Sequence, residues 1–313
     1  MPPSETSPRR PVHTYSIVAR DPATGDLGCA VQSHWFNVGA IVLWAEPGVG
    51  AVATQSFAEP AYGPQGLARM RAGIDATTAL AELTAADGER EVRQVAFVDA
   101  SGRVAAHTGT GCIEAAGHEV GEGFSAQANM MASAAVWPAM ARAYRDGLAN
   151  PDLADRLLAA LVAAQDAGGD FRGEQSAAIL IVGGERTDRA WEATHVDLRV
   201  EDHPDPIGEL TRLLSLQRAY DLMNDGDGAV ATGDWERALV NYADAARRAP
   251  QIVELPFWHA VALVNAGRTD EALPMFADVF AREPRWREAI GRLVRANQLP
   301  GDDALIARIT AAG

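Results

Sequence analysis

The rhythm of hydrophobic and polar positions changes several times along the chain, and each change predicts an element. Thr14-Tyr15-Ser16-Ile17-Val18-Ala19 is rich in β-branched and aromatic residues and reads as a strand. Asp21-Pro22-Ala23-Thr24-Gly25-Asp26 is a turn cluster, and residues 27–32 form the returning strand of a hairpin. Residues 40–45 and 49–55 are small and apolar on both faces, which suits two buried strands around the turn Glu46-Pro47-Gly48. Residues 63–73 and 76–86 carry a helical period; in the second, Ala79, Leu80, Leu83 and Ala86 share a face. Residues 92–98 and 103–107 make a second hairpin, and 125–131 a strand that ends in polar groups. Helices follow at 133–145 and 151–167, the latter with Pro151 in its first turn and Asn150 as its expected cap. Residues 176–182 are a buried strand, and 197–200 a shorter one. Hairpins dominate, so the sheets are expected to be mainly antiparallel, with two helix pairs to cover them. The economical packing is an α+β fold in four layers, α-β-β-α; a simpler one-sheet or two-sheet fold suits the same order.

The texture shifts at Glu201-Asp202-His203-Pro204-Asp205-Pro206, a charged, proline-bearing boundary. Beyond it, residues 207–225 are helical, with Leu210, Leu213, Leu214, Gln217 and Leu222 on one face. Self-similarity then appears at an offset of 34 residues: Gly233 matches Gly267, Ala238 matches Ala272, Tyr242 matches Phe276 and Pro250 matches Pro284. Each position has a physical task. The glycines end a helix, the alanines let two helices approach, the aromatic fills the groove and the proline stops the second helix. The pattern resembles the tetratricopeptide repeat. Asn224-Asp225-Gly226-Asp227-Gly228 is a poor helix stretch, and two units are fewer than a free-standing solenoid needs. The expected organisation is a disordered leader over 1–13, an α/β domain over 14–206 and an all-α helical segment over 207–313. That segment is expected to serve a homodimer or higher homo-oligomer rather than a peptide groove, with a protein partner as the other reading.

Composition narrows the function. Hydrophobic residues make up 48% of the chain, as in a globular protein. The net charge of -15 argues against nucleic acid, whose phosphates require clustered cations. No run of about 18 apolar residues is present, so no membrane span is expected. The first residues have no apolar core of a secretory signal, which makes the cytoplasm the default. Cys29 and Cys112 read as small buried residues rather than a disulfide framework. The seven histidines are His13, His34, His107, His118, His195, His203 and His259; none has metal spacing to another, and no metal or other cofactor is expected. Phosphate-loop, nucleophile-elbow, zinc-helix and Cys-x-x-Cys motifs are missing.

The segments HTYSIVARDPATGDLGCAVQS, GVGAVATQSF and FSAQANMM together resemble a bacterial family of unknown function, DUF1028, which is placed in the N-terminal-nucleophile (Ntn) hydrolase superfamily. The resemblance covers about Thr14 to Pro206. It implies the α-β-β-α sandwich and a mechanism in which a terminal Thr, Ser or Cys attacks an amide carbonyl while its own α-amine takes the proton. Carried onto this chain, Thr14 is the nucleophile. Thirteen residues precede it, so self-cleavage or an alternative start must free its amine. Polar residues at the ends of apolar strands supply the rest of the expected site. His34, Gln55 and Asn129 are the further catalytic candidates, and Ser33, Thr54, Glu59, Tyr62 and Gln127 the substrate-binding ones. Ser16 and Cys29 are reserve nucleophiles, and Arg20-Asp21 would position the strand or form a surface ion pair. The implied function is cleavage of an amide C–N bond in a small molecule or peptide. The other reading is a catalytically idle scaffold for binding or assembly. Some family members carry a C-terminal segment named for peptidoglycan binding, which extends that second reading to cell-wall glycan.

Overall fold

The computed structural model describes residues 14–313, and the leader expected over residues 1–13 lies outside them. The chain divides into two compact units, one ending at Thr211 and the other spanning Arg212–Gly313. The first is built on two antiparallel sheets. Strands β1 (Thr14–Arg20), β2 (Leu27–Ser33), β7 (Gly117–Gly121), β8 (Phe124–Asn129), β9 (Ser176–Val182) and β10 (Thr194–Val200) form a sheet in the order β10-β9-β2-β1-β8-β7. Strands β3 (Leu43–Glu46), β4 (Gly50–Ser56), β5 (Arg93–Asp99) and β6 (Val104–Thr108) form the other, in chain order.

Side-chain alternation assigns each face. Val18, Leu27, Cys29 and Val31 of the six-stranded sheet pack against Ala51, Ala53, Ala96 and Val98 of the four-stranded sheet, so the two sheets meet face to face. The opposite face of the smaller sheet, with Val52, Val95 and Phe97, is covered by helices α2 (Tyr62–Arg71) and α3 (Ala76–Ala86) through Leu67, Met70, Leu80 and Leu83. Helices α4 (Val136–Asp146) and α5 (Leu153–Asp166) lie on the larger sheet; α5 runs along β1 and β2, and Tyr15 Oη donates to Gln165 Oε1 at 2.9 Å.

Three local expectations are corrected. Residues 39–42 are a helical turn, α1 (Gly39–Val42), not the start of a strand. Its Ile41 carbonyl accepts from Trp44 Nε1 at 3.0 Å, so side-chain bonding replaces the ladder. The cap of α5 is Asp152, whose carboxylate accepts from Ala154 N at 2.8 Å; Asn150 instead bonds the backbone N–H of Asp152. Asp21 does not pair with Arg20. It forms an ion pair with Arg156 of α5, both side chains 2% exposed. Burial pushes the Asp21 carboxyl up, but N–H donors from Thr24 and Ala23 and the Arg156 guanidinium outweigh it, so the group sits below the usual carboxylate range.

The second unit is helical. Helix α6 (Pro206–Ala231) carries the chain into it, followed by α7 (Trp235–Arg248), α8 (Glu254–Asn265), α9 (Thr269–Arg282), α10 (Trp286–Arg295) and α11 (Asp303–Thr310). The stretch 224–228, a poor helix by composition, is helical after all. The Tyr242 ring lies so close to Gly226 that a β-carbon there would meet it at 3.0 Å, and the Tyr242 hydroxyl donates to Asp227 Oδ1 at 2.5 Å. Tertiary packing thus overrides propensity. The 34-residue offset recurs in the structure: α7 and α9 are each 14 residues long and start 34 positions apart. Gly233 and Gly267 end the preceding helices at φ +77° and +75°, a left-handed conformation that favours glycine. Ala238 and Ala272 are fully buried, and Phe257, Phe276, Phe280 and Trp286 form the aromatic centre. Among the described residues, no helix is long and apolar enough to cross a membrane.

Candidate active site

The space between the two sheets is apolar at one end and polar at the other. Along the inward face of β1 the side chains run Val18, Ser16, Thr14; along β4, Ala53 then Gln55; along β5, Ala96 then Gln94. Cross-strand register adds the remaining groups. Thr14 sits opposite Ser33 on one side and Asn129 on the other, and Ser16 opposite Gln127. Directly opposed residues share a face, so Thr14, Ser33, Gln127 and Asn129 converge at one end of the inter-sheet layer. All of them, with Ser16, Gln55, Gln94 and Ser125, are fully buried.

Buried polar groups require partners, and here they satisfy one another in a directed chain. Ser125 Oγ donates to Gln127 Oε1 at 2.9 Å, and Gln127 Nε2 to Ser16 Oγ at 2.7 Å. Ser16 Oγ donates across the sheets to Gln55 Oε1 at 2.6 Å, and Gln55 Nε2 to Gln94 Oε1 at 2.7 Å. Gln94 Nε2 then donates to Thr108 Oγ1 at 3.0 Å, which lies 2.8 Å from His118 Nδ1 on the edge strand β7. Two amides also reach the backbone of Thr14. Gln55 Nε2 donates to its carbonyl oxygen at 3.2 Å and Asn129 Nδ2 at 3.4 Å. The Asn129 Oδ1 atom, buried in the same place, has no hydrogen-bond partner among the described residues. Ser56 and Met130, which follow Gln55 and Asn129, both take positive φ (68° and 56°) and turn the chain out of each sheet beside the cluster.

The sequence-derived candidates separate into two groups. Thr14, Ser33, Gln55, Gln127 and Asn129 come together. Thr54 lies next to Gln55 on β4 and therefore faces the other way, with its hydroxyl on the Glu59 carbonyl at 3.2 Å. Glu59 accepts from Ala61 N at 3.2 Å, at the start of α2. The Tyr62 hydroxyl donates to Asp87 at 3.1 Å; burial and the Asp87 carboxylate push its ionisation well above the usual tyrosine range. Thr54 and Tyr62 stand on the helix-covered side of the smaller sheet, away from the face that meets β1, and Glu59 lies in the loop between β4 and α2. His34 is exposed, and its backbone N–H donates to Asp170 Oδ2 at 3.1 Å. Cys29 is fully buried in the apolar inter-sheet core, where burial pushes its thiol up to about 12. A thiol so protonated is a poor nucleophile. Gln94 and Thr108 were missed by the sequence reading. The polar Gln94 two residues before Ala96, on an otherwise apolar strand, is the same signal that marked Gln55.

Among the described residues, no group of three or more His, Cys, Asp or Glu side chains could hold a metal ion. What the arrangement offers is neutral. A hydroxyl-bearing residue heads a buried strand, its carbonyl gripped by two carboxamides, with one unsatisfied acceptor beside it.

The fold and site define a double-sheet α+β domain with a neutral amide cluster at one end of its core. The chain belongs to the family described as "Family of unknown function (DUF1028)", whose profile matches residues 14–210. It is similar to the crystal structure of protein SPO2555 from Silicibacter pomeroyi, described under the same family, at 33% identity and a TM-score of 0.57; the match covers 64% of this chain and 88% of that one. No curated protein matches the chain.

Proposed function

We propose that the protein is an N-terminal-nucleophile amidohydrolase with Thr14 as its nucleophile, acting on the C–N bond of a small or peptidic amide. The observation that carries this reading is the placement of Thr14, itself fully buried, at the head of β1, its carbonyl held by Gln55 and Asn129 at the polar end of the inter-sheet layer. In the proposed reaction, Thr14 Oγ1 adds to the substrate carbonyl and its proton passes to the Thr14 α-amine. Collapse breaks the C–N bond, the leaving amine takes that proton, and an acyl ester remains on Oγ1. Water then cleaves the ester to a carboxylic acid. The α-amine has a usual pKa of about 7.7–8.0 and serves as base near neutrality. It has no competitor of its kind, because all 27 Lys-plus-Arg positions of this sequence are Arg. The reading requires a chain that starts at Thr14, through cleavage of the His13–Thr14 bond or a start beside it. Residues 14–206 would carry the chemistry. The tetratricopeptide-like residues 207–313 would carry contacts between copies.

Because the Gln55 and Asn129 donors are spent on Thr14 and Gln94, they act in this reading as positioning groups, and the oxyanion is left to other donors. The same fact favours a second reading, a catalytically idle scaffold whose amide cluster is structural. Incubation with p-nitrophenyl acetate separates the two. The enzyme reading predicts a stoichiometric burst of p-nitrophenolate and an acetyl group mapped by mass spectrometry to Thr14, both lost in Thr14→Ala. A Thr14→Ala variant that keeps the burst would sink the proposed mechanism.

A further inference from the structure

We infer that Gln94 is a positioning residue for the Thr14 site, fixing which end of the Gln55 and Asn129 carboxamides faces Thr14; this rests on the N-terminal-nucleophile reading above. A primary amide has a donor end and an acceptor end of nearly equal shape, so only its partners decide its orientation. Gln94 Oε1 makes that decision twice. It accepts from Gln55 Nε2 at 2.7 Å and from Asn129 Nδ2 at 3.0 Å. Each donor nitrogen is the one that also reaches the Thr14 carbonyl. The Gln94 amide is fixed from its own far side, since Nε2 donates to Ala128 O at 2.9 Å, Thr108 Oγ1 at 3.0 Å and Gly117 O at 3.2 Å. The Ala128 and Gly117 carbonyls can only accept, so the oxygen end must point at Gln55 and Asn129.

The consequence is specific. Without the Gln94 oxygen, Asn129 Nδ2 keeps only its 3.4 Å bond to the Thr14 carbonyl, and Gln55 Nε2 loses its shortest acceptor and is held by the longer bonds to Thr14 O and Gln127 O and by the Ser16 hydroxyl on its Oε1. Gln94 does not touch the hydroxyl or amine of Thr14 in this account. It acts through two residues from two different sheets, because β5 carries it opposite Gln55 and the inter-sheet contact brings it to Asn129.

The lysine-free sequence supplies a substrate-independent readout, since an amine-directed N-hydroxysuccinimide ester modifies one α-amine per chain. The full protein is labelled across the titration range of an α-amine, the site is mapped by mass spectrometry, and thermal unfolding is followed in parallel. The variants are Gln94→Met, which removes both polar ends, and Gln94→Asn, which keeps an amide too short to reach both partners. The expected result is labelling at Thr14. Its rate should be altered about tenfold, with a shifted apparent pKa, in Gln94→Met and Gln94→Asn, the scale on which misplacement of a reacting group is felt. If Gln94→Met does not fold, Gln94→Asn decides. Labelling at Thr14 with an unchanged profile in Gln94→Asn overturns the role of Gln94 alone. Labelling at a residue upstream of Thr14 with none at Thr14 overturns the freed-nucleophile reading and this inference with it.

Discussion

The two units of the chain bury different things. In the helical unit the fully buried side chains are apolar and aromatic, with Phe257, Phe276, Phe280 and Ile290 around Ala238 and Ala272. Every buried polar or charged side chain among the described residues belongs to the other unit, from Thr14 to Ser176. Buried polarity is costly unless matched, so a unit that concentrates it is constrained by more than packing. Even within that unit the polarity divides. β1 has neutral carboxamides at its head, and the Asp21–Arg156 pair lies just past its tail. The ionic end anchors the strand to α5. The neutral end orients groups without fixing a charge, which suits a site that must accept and release a proton.

Substitutions can break this comparison in order of expected effect. Asp21→Asn leaves the Arg156 guanidinium buried without its counter-charge and should cost about 3–5 kcal/mol in denaturant unfolding. Phe276→Ala should cost a similar ~3–5 kcal/mol by emptying the aromatic centre of the helical unit. Calorimetry should assign the two losses to different transitions, and the contrast between the units fails if both variants lower one common transition. Gln55→Met should cost less, about 1–3 kcal/mol, by leaving the Ser16 hydroxyl and the Gln94 oxygen short of partners. Gly267→Ala should cost about 1–2 kcal/mol, the penalty of a β-carbon in the left-handed region.

Acid sharpens the contrast between the two ends of β1. Asp21 is held below the usual carboxylate range, so its contribution is in place above about pH 4 and is lost as pH falls through the lowered value. The stability gap between wild type and Asp21→Asn should therefore shrink between about pH 5 and pH 2. The deficit of Gln55→Met, a neutral group, should not change over that range. Equal pH dependence in both variants would remove the distinction drawn here.

Much of the α/β unit is legible in local sequence because its strands are apolar and bounded by turn clusters. The pair β1–β2, the strand β9 and the helix α3 follow directly from pattern. The strand β7 does not: Gly117-His118-Glu119-Val120-Gly121 is a half-exposed edge with one apolar side chain and no rhythm to detect. The partner of Asp21 stands 135 residues away, and nothing near Asp21 points to Arg156. Helix α6 runs through Gly226 and Gly228 because Tyr242 packs there, a contact invisible to propensity. At the candidate site, the family resemblance led to Thr14, and polar residues near the ends of apolar strands led to Ser33, Gln55, Gln127 and Asn129. The same rule also admitted Thr54, although its adjacency to Gln55 already required the opposite face. It missed Gln94, whose strand begins rather than ends with the polar residue.

The central claim is that Thr14 works as a free terminal residue, and the protein's single amine tests it directly. Purified protein treated with an amine-directed acyl ester and digested should carry its one label on Thr14, and Thr14→Ala should lose the acetyl-enzyme formed with p-nitrophenyl acetate. A label on Met1, Pro2 or any residue before Thr14, with acylation unchanged in Thr14→Ala, would contradict the account.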